Sequence, residues 1–195
     1  MYAPDLKGFG DNTGMEYPYS LDDYCREVSE YIKENGIYNC DVIAHSFGGR
    51  IAIKLASYDS DIFNKMVLTG CAGLKPKRTI KKTFRKIAFN VLKQFVDKEK
   101  LQGFYSGDYR ALDKTMKESF IKIVNEHLND RLTLIKNKTF IVFGKNDEQT
   151  PPYMAKILHE KIADSRLLFI AGAGHFAFID KPHIFNTEVR EFLLS

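Results

Sequence analysis

A serine in a tight, glycine-rich turn is the first residue whose surroundings point to chemistry. Ser46 lies in the segment 44–49 (AHSFGG), between a short apolar run and a run of helical periodicity. A strand-to-helix turn this tight needs small residues two positions before and two after its centre, and Ala44 and Gly48 meet that need. Such a turn holds the serine hydroxyl above the C-terminal edge of a sheet, where the N–H of Phe47 points at a developing oxyanion. The pattern predicts Ser46 as a nucleophile and the Phe47 N–H as an oxyanion donor.

A histidine is needed as well, because a serine hydroxyl is a poor nucleophile without a base. Of the five histidines in the chain, His175 stands in the segment 172–176 (GAGHF), directly after a predicted strand. The glycines leave its ring free to reach across the sheet edge, and we expect it to be the base. His45 shares the cramped turn of Ser46 and cannot easily turn back onto it. The other three have helical, charged or proline-flanked neighbours and are predicted to lie at the surface: His127, His159 and His183.

An acidic residue should fix the imidazole tautomer and stabilise the imidazolium. Asp147 follows the next-to-last predicted strand, in the segment 143–151 (FGKNDEQTP), and its neighbour Glu148 is the competitor. The pattern of the segment favours Asp147. The alternative is that the three groups are an ordinary helix cap, a turn residue and a loop histidine. Three such groups at strand ends, in the order Ser, Asp, His, favour catalysis over that alternative.

The elements that must position these side chains follow a parallel α/β pattern. Ser20 with Asp23 three residues later is a capping box and Gly36 is a good C-cap, which together predict a helix over 21–35. Short apolar runs predict buried strands, and runs of helical periodicity predict further helices. The predicted strands are 1–3 (a stub), 40–44, 66–69, 139–143 and 166–170, and the further helices start near Ile51 or cover 153–162 and 184–194.

The pattern changes in the middle of the chain, where no strand is predicted. Helical periodicity covers 79–96 and 110–128, and this part of the chain is rich in Phe, Lys and Met. We therefore predict an α/β core formed by 1–74 and 136–195, with a helical lid inserted at 75–135.

Composition excludes several classes of protein. The chain has 195 residues, of which 44% are hydrophobic and 28% charged, a balance typical of a globular domain and not of a disordered segment. No apolar run approaches the ~18 residues needed to span a bilayer, and the N-terminus has no leader pattern, so we predict a cytoplasmic protein. An odd number of cysteines, without a Cys-x-x-Cys, argues against a disulfide framework or a zinc site, and no metal or cofactor is expected.

Basic residues are concentrated between Lys75 and Lys86, although the net charge of the chain is only +4. Such a cluster is typical of the solvated face of a helix, and less often of a surface that attracts an anionic lipid, an acidic partner or nucleic acid. No zinc finger, RNP motif or helix-turn-helix pattern accompanies it, so no nucleic-acid partner is expected.

Together these motifs resemble the α/β-hydrolase superfamily over nearly the whole chain, and its serine esterases and lipases in particular. Segment 5–10 (DLKGFG) resembles the family's loop after its fourth strand, and 19–24 resembles the start of the next helix. Segment 45–49 resembles the nucleophile elbow, while 143–147 and 172–175 resemble the acid and base loops. The order Ser, Asp, His is that of this family, and the helical insertion looks like its variable lid.

The resemblance implies hydrolysis of a carboxylic ester, or of a related acyl bond, through an acyl-enzyme intermediate on Ser46. It also implies a small-molecule acyl substrate and no cofactor or metal. A thioesterase, a lipase or a peptidase would use the same three residues, so the identity of the substrate stays open.

The chain departs from the family at its beginning. Relatives normally have three strands and a helix before the loop that resembles 5–10, and a His-Gly motif in that part supplies the second oxyanion N–H. The resemblance implies that this chain lacks its first strands and that the strand 40–44 has an open apolar edge, which favours a homo-oligomer. The loss of one oxyanion donor typically costs on the order of 10²–10³ in rate. The alternative function is a truncated, weakly active or non-catalytic homologue that acts as a binding or oligomer-completed protein.

Overall fold

The computed structural model of the chain describes residues 1–76 and 114–195. The described residues form two compact units, one with Met1–Glu30 and the described part of Pro76–Glu126, the other with Tyr31–Lys75 and His127–Ser195. In chain order the elements are α1 (Leu21–Glu34), β1 (Cys40–His45), α2 (Phe47–Tyr58), β2 (Phe63–Thr69), α3 (Lys114–Asn125), a 3₁₀ turn (Leu132–Leu134), β3 (Lys138–Gly144), α4 (Pro152–Lys161), β4 (Ser165–Ile170), α5 (Ala177–Asp180) and α6 (Pro182–Leu194).

Four parallel strands form the sheet of the second unit, in the order β1-β2-β3-β4. The register places His45 of β1 beside Thr69 of β2, and Gly144 of β3 beside Ile170 of β4. Because the strands run in the same direction, their carboxyl ends lie at one edge of the sheet and the loops that follow them meet there. The three segments predicted to carry the nucleophile, acid and base therefore begin at the same edge.

The core of this unit lies against the sheet, whose side chains alternate between its two faces. On one face Val67, Phe140 and Val142 pack with three residues of α6, namely Phe185, Val189 and Phe192. Leu68 and Ile141, which alternate with them along the strands, are also fully buried. Helices α2 and α4 contact the sheet and the 3₁₀ turn. This burial of apolar surface, which stabilises by about 25 cal/mol per Å², holds the strand ends in place.

Most of the predicted helices and strands are present. Helix α1 begins at the predicted capping box, where Asp23 N–H donates to Ser20 Oγ at 3.2 Å and the Ser20 hydroxyl donates to Asp23 Oδ2 at 2.6 Å. It ends before Gly36, whose φ of 62° lies in the left-handed region. Helix α3 lies within the predicted helix 110–128. The predicted helix 79–96 and most of the basic cluster lie outside the described residues.

Two strand predictions are wrong. Residues 1–3 are exposed and form no strand, because they pair with no strand of the described sheet that would satisfy their N–H and C=O groups. The sequence also predicts β1 as buried, but Ile43 on this strand is 54% exposed. In the described sheet β1 lies at the edge and pairs only with β2. The 3₁₀ turn and α5 were not predicted, because elements of one turn are too short to show periodicity.

Neither described range contains a helix long and apolar enough to cross a membrane. None of the three cysteines forms a disulfide, and Cys25 and Cys71 are buried. Burial raises the pKa of the Cys71 thiol well above its usual range. The Cys71 Sγ lies 3.7 Å from the carbonyl oxygen of Ala44. This thiol is therefore a core side chain.

Alanine substitutions at one buried and one exposed leucine test this description of the core. Leu68 on β2 is fully buried, whereas Leu194 at the end of α6 is 73% exposed. We expect Leu68→Ala to lower the free energy of unfolding by about 2–5 kcal/mol, because it removes buried methyl groups and leaves a cavity. Leu194→Ala should change it by less than about 0.5 kcal/mol. Urea unfolding measures both, and equal losses would contradict the position of the core.

Candidate active site

Ser46 connects β1 to α2 through a strained turn. Its backbone has a φ of 47° and a ψ of −107°, a region that residues other than glycine rarely adopt and that costs about 1–3 kcal/mol. The Ser46 N–H donates to the Thr69 carbonyl at 3.1 Å, and the Ser46 carbonyl accepts from the Ala72 N–H at 3.2 Å. Its side chain is buried and forms no capping hydrogen bond. An ordinary helix-capping serine would form that bond, so capping does not explain this serine.

Close packing beside this turn depends on Gly49 and not on Gly48. A Cβ added at Gly49 would collide with the side chain of Cys71, in the loop after β2. A Cβ added at Gly48 would meet no described atom within 4 Å. The sequence motif predicts that Gly48 must be small. This prediction is wrong, because the first turn of α2 approaches the loop after β2 at Gly49, one residue further along the chain.

The predicted oxyanion donor lies at the start of a helix. Phe47 is the first residue of α2 and directly follows Ser46. The N–H groups of a first helical turn point out of the N-terminal end of the helix, where the helix dipole favours negative charge. Phe47 therefore lies among the residues whose N–H groups point out of the N-terminal end of α2.

Asp147 and His175 form a buried, hydrogen-bonded pair. His175 Nδ1 donates to Asp147 Oδ2 at 2.9 Å, and the two side chains are 3% and 0% exposed respectively. Glu148, the competing acidic residue, is exposed. Because a carboxylate only accepts hydrogen bonds, we assign the imidazole proton to Nδ1, which leaves the lone pair on Nε2. His175 Nε2 is buried and no described residue bonds to it. An imidazole in this tautomer can accept a proton at Nε2.

The loops that carry this pair pass each other in close contact. The Asn146 N–H donates to the Ala173 carbonyl at 2.9 Å. A Cβ added at Gly144, the last residue of β3, would collide with the carbonyl oxygens of Ala173 and Gly174. Any side chain at Gly144 would therefore push the two loops apart and lengthen the hydrogen bond between Asp147 and the imidazole.

Ser46 is connected to the pair through the end of β2. Thr69 accepts the Ser46 N–H, and the next residue, Gly70, lies against the imidazole, so that a Cβ there would be 3.1 Å from His175 Nδ1. The Ser46 hydroxyl does not bond to His175 Nε2 in this structure. Bonds of this kind are often long without substrate and tighten when it binds. The structure thus joins Asp147 to His175 directly and places Ser46 at the end of β1, which β2 separates from β3.

His45 is a second imidazole beside His175, and the sequence analysis gives it no function. The two ring centroids lie 4.6 Å apart, and Phe176 and Phe178 also pack against the His45 ring. His45 Nδ1 donates to the Thr69 carbonyl at 3.1 Å. Burial, and to a smaller extent the neighbouring His175, lower the pKa of His45 to about 4. His45 is therefore neutral at neutral pH and adds no second positive charge beside His175.

The other three histidines are exposed, as predicted: His127, His159 and His183. Within 1–76 and 114–195, no group of three or more His, Cys, Asp and Glu side chains is placed to hold a metal ion.

The pKa of His45 predicts that the folded state loses stability in mild acid. Below its ordinary pKa of 6.5 the unfolded chain binds a proton at His45 that the folded chain does not bind until about pH 4. The stability contributed by neutral His45 is complete above pH 6.5 and is lost as the pH falls from 6.5 towards 4. Between about pH 7.5 and about pH 5 we expect a loss of about 2 kcal/mol from this group.

Urea unfolding at these two pH values checks the effect. His45→Gln should remove that part of the pH dependence, because the glutamine does not titrate. His183→Gln is the matched control, since this exposed histidine lies on α6 and its replacement should leave the pH dependence unchanged. An equal pH dependence in the wild type and in His45→Gln would show that burial does not keep His45 neutral.

Comparison with known proteins places the whole chain in one family. Residues 1–188 match the model of the alpha/beta hydrolase family. The AB hydrolase superfamily protein YisY of Bacillus subtilis is 26% identical over 96% of this chain and 79% of its own length. The 2-hydroxy-6-oxo-6-phenylhexa-2,4-dienoate hydrolase of Comamonas testosteroni is 26% identical over 86% of this chain and 67% of its own length.

Solved structures show the same fold. An esterase from Exiguobacterium antarcticum superimposes with a TM-score of 0.80 at 24% sequence identity, over 98% of this chain and 80% of the esterase. The parallel sheet, the strained serine turn after β1 and the helices packed on the sheet agree with that fold. The chain therefore belongs to the α/β-hydrolase family, and its membership supports a hydrolase activity.

Proposed function

We propose that this protein is a serine hydrolase in which Ser46 is the nucleophile, His175 the base and Asp147 the acid. The observation that carries the proposal is the buried Asp147–His175 pair, whose Nε2 has no described partner. It lies at the same sheet edge as Ser46, whose strained backbone no capping bond explains. Strain of this kind persists where the surrounding structure enforces it, and it is common at active sites.

In the proposed reaction the Ser46 Oγ attacks a carbonyl carbon and forms a tetrahedral intermediate. His175 Nε2 takes the hydroxyl proton, and Asp147 stabilises the imidazolium that results. The negative charge on the former carbonyl oxygen is stabilised by the Phe47 N–H and the start of α2. His175 then gives the proton to the leaving group as the acyl bond breaks. A water molecule, deprotonated by His175, then attacks the acyl-enzyme. The bond to Ser46 Oγ breaks, the acid is released, and His175 returns the proton to Ser46 Oγ.

We propose a small-molecule carboxylic ester, or a related acyl compound, as the substrate. The esterase that shares the fold supports this class. A specific relative favours a second candidate, because the substrate named for the Comamonas testosteroni hydrolase is a ketone without an ester, so that its hydrolysis must break a carbon–carbon bond. In the same proposal, 1–74 and 136–195 form the core and 75–135 the lid. Location in the cytoplasm stays a prediction from the sequence.

The exposed edge of β1 supports the alternative of a weakly active or non-catalytic homologue. Ile43 on this strand is exposed, and β1 pairs only with β2 in the described sheet. An unpaired apolar edge favours pairing with another strand, which is the basis of the predicted homo-oligomer. The two functions differ in whether Ser46 reacts, and this can be measured directly.

Labelling with a fluorophosphonate probe tests the proposed nucleophile. We expect the wild-type protein to be phosphonylated at Ser46, because the probe reacts with a serine whose hydroxyl is activated by a base. Ser46→Ala should abolish labelling, and Ser60→Ala, a serine outside the site, should leave it unchanged. Peptide mass spectrometry identifies the labelled residue. A folded wild-type protein that does not react would favour the non-catalytic alternative, and labelling that persists in Ser46→Ala would refute the assignment.

A substrate panel distinguishes the two bond types. We expect p-nitrophenyl esters of short acids to be hydrolysed, with a loss of kcat/KM of about 10³-fold or more in Ser46→Ala, since the serine and its base act as a unit. The comparison substrate is the phenyl-substituted oxo-dienoate, whose consumption is followed by absorbance. Hydrolysis of the dienoate and of no ester would replace the ester class by the carbon–carbon class, while Ser46 would stay the nucleophile.

A further inference from the structure

The Asp147 carboxylate has more hydrogen-bond donors than the histidine alone. Oδ1 accepts the backbone N–H groups of Gln149 and Thr150, both at 2.8 Å. Oδ2 accepts the Thr150 hydroxyl at 2.6 Å and His175 Nδ1 at 2.9 Å. An ionised carboxylate has about four acceptor positions, and here each oxygen receives two donors. The carboxylate is thus fully hydrogen-bonded, in a residue that is only 2% exposed.

Thr150 supplies two of these four bonds and lies close to the imidazole as well. Its side chain is 3% exposed, and its Oγ1 lies 3.3 Å from His175 Nδ1. The hydroxyl has one proton, and the oxygen at 2.6 Å can only accept, so we assign that proton to Asp147 Oδ2. The lone pairs of Oγ1 then face the N–H of His175 and form a second, longer acceptor for it.

The geometry points to Thr150 as the positioning residue of the acid–base pair. We propose that its hydroxyl holds Asp147 Oδ2 in the plane of the imidazole and thereby aims His175 Nε2 at Ser46. The two backbone N–H groups fix Oδ1 only, and a carboxylate held by one oxygen can still turn about its Cβ–Cγ bond. The Thr150 hydroxyl removes this freedom at the oxygen that the imidazole uses. The proposal rests on the proposed serine hydrolase function.

If Thr150 acts by positioning, it needs its hydroxyl group. If it acts by packing, it needs its methyl group. Thr150→Val keeps the shape of the side chain and removes the donor, so that Asp147 Oδ2 keeps only its bond from the imidazole. Thr150→Ser keeps the donor and removes a methyl group. Loss of a hydrogen-bond partner behind a reacting group typically costs about 10–100-fold in activity. A positioning hydroxyl predicts loss in the valine variant and recovery in the serine variant, whereas packing predicts the reverse.

The experiment measures steady-state hydrolysis of the best ester in the panel by the wild-type protein and the two variants. We expect Thr150→Val to lower kcat by about 10–100-fold with KM changed less than about twofold, because the loss lies in the orientation of the base and not in substrate binding. Thr150→Ser should stay within about threefold of the wild type. Wild-type activity in the valine variant, or equal losses in both, would overturn the proposal.

A second readout does not depend on activity. Proton NMR detects the Nδ1 proton of a histidine bound to a carboxylate as a resonance at low field. We expect this resonance in the wild type and in Thr150→Ser, and a shifted or lost resonance in Thr150→Val. Thr150→Ala removes the same hydroxyl and leaves a smaller side chain. It takes the place of Thr150→Val if that variant does not fold, and its resonance should likewise be shifted or lost. An unchanged resonance in both overturns the proposal.

These measurements also separate the proposal from the function on which it rests. If the wild-type protein neither reacts with the fluorophosphonate nor hydrolyses any substrate, the proposed function fails. The NMR comparison still decides whether Thr150 orients the Asp147–His175 pair. If the wild type is active and both Thr150→Val and Thr150→Ala match it, the function stands and the role of Thr150 is refuted.

Discussion

The close passage of the loops after β3 and β4 is the constraint on which the site depends. The Lys145 N–H bonds to the Ile170 carbonyl, and Asn146 bonds to the second loop in the same way. Gly144 leaves no room for a side chain between them. Parallel pairing of the two strands brings these loops to one edge, and the backbone bonds then fix their spacing. The hydrogen bond between the acid and the imidazole follows from that spacing, because both side chains project from short, tightly held segments.

One carbonyl group connects this pair to the serine. The Thr69 oxygen accepts both the Ser46 N–H and His45 Nδ1, each at 3.1 Å. The end of β2 therefore fixes the strained turn on one side and the half-buried His45 ring on the other. Gly70 brings the same strand end against the His175 imidazole. The neutral state of His45 matters for the proposed reaction, because a charged neighbour would oppose the positive charge that His175 would gain as the proposed base. The end of β2 thus sets the position of the Ser46 turn and holds the neutral His45 ring beside His175.

Elements and site residues that depend on neighbours in sequence are predictable. Helix α1 could be placed from Ser20, Asp23 and Gly36, because caps act within one turn. Strand β3 was found because its apolar run reflects burial. Residues 1–3 were predicted as a strand and form none, because a strand exists only where another strand pairs with it. The exposure of Ile43 has the same origin, since burial of a strand depends on how many strands lie beside it.

The sequence by itself determined which reactive side chains follow the strands of this protein. The serine, aspartate and histidine follow predicted strands, and parallel strands end at one edge, so their proximity could be inferred without coordinates. Only the tertiary structure decided which groups support them. The contact of Gly49 with Cys71, the packing of His45 against His175 and the bond from Thr150 to Asp147 Oδ2 leave no pattern in the sequence. Each depends on a spacing between loops that must be correct to within a few tenths of an ångström. Packing of the whole sheet sets this spacing, and local propensity does not.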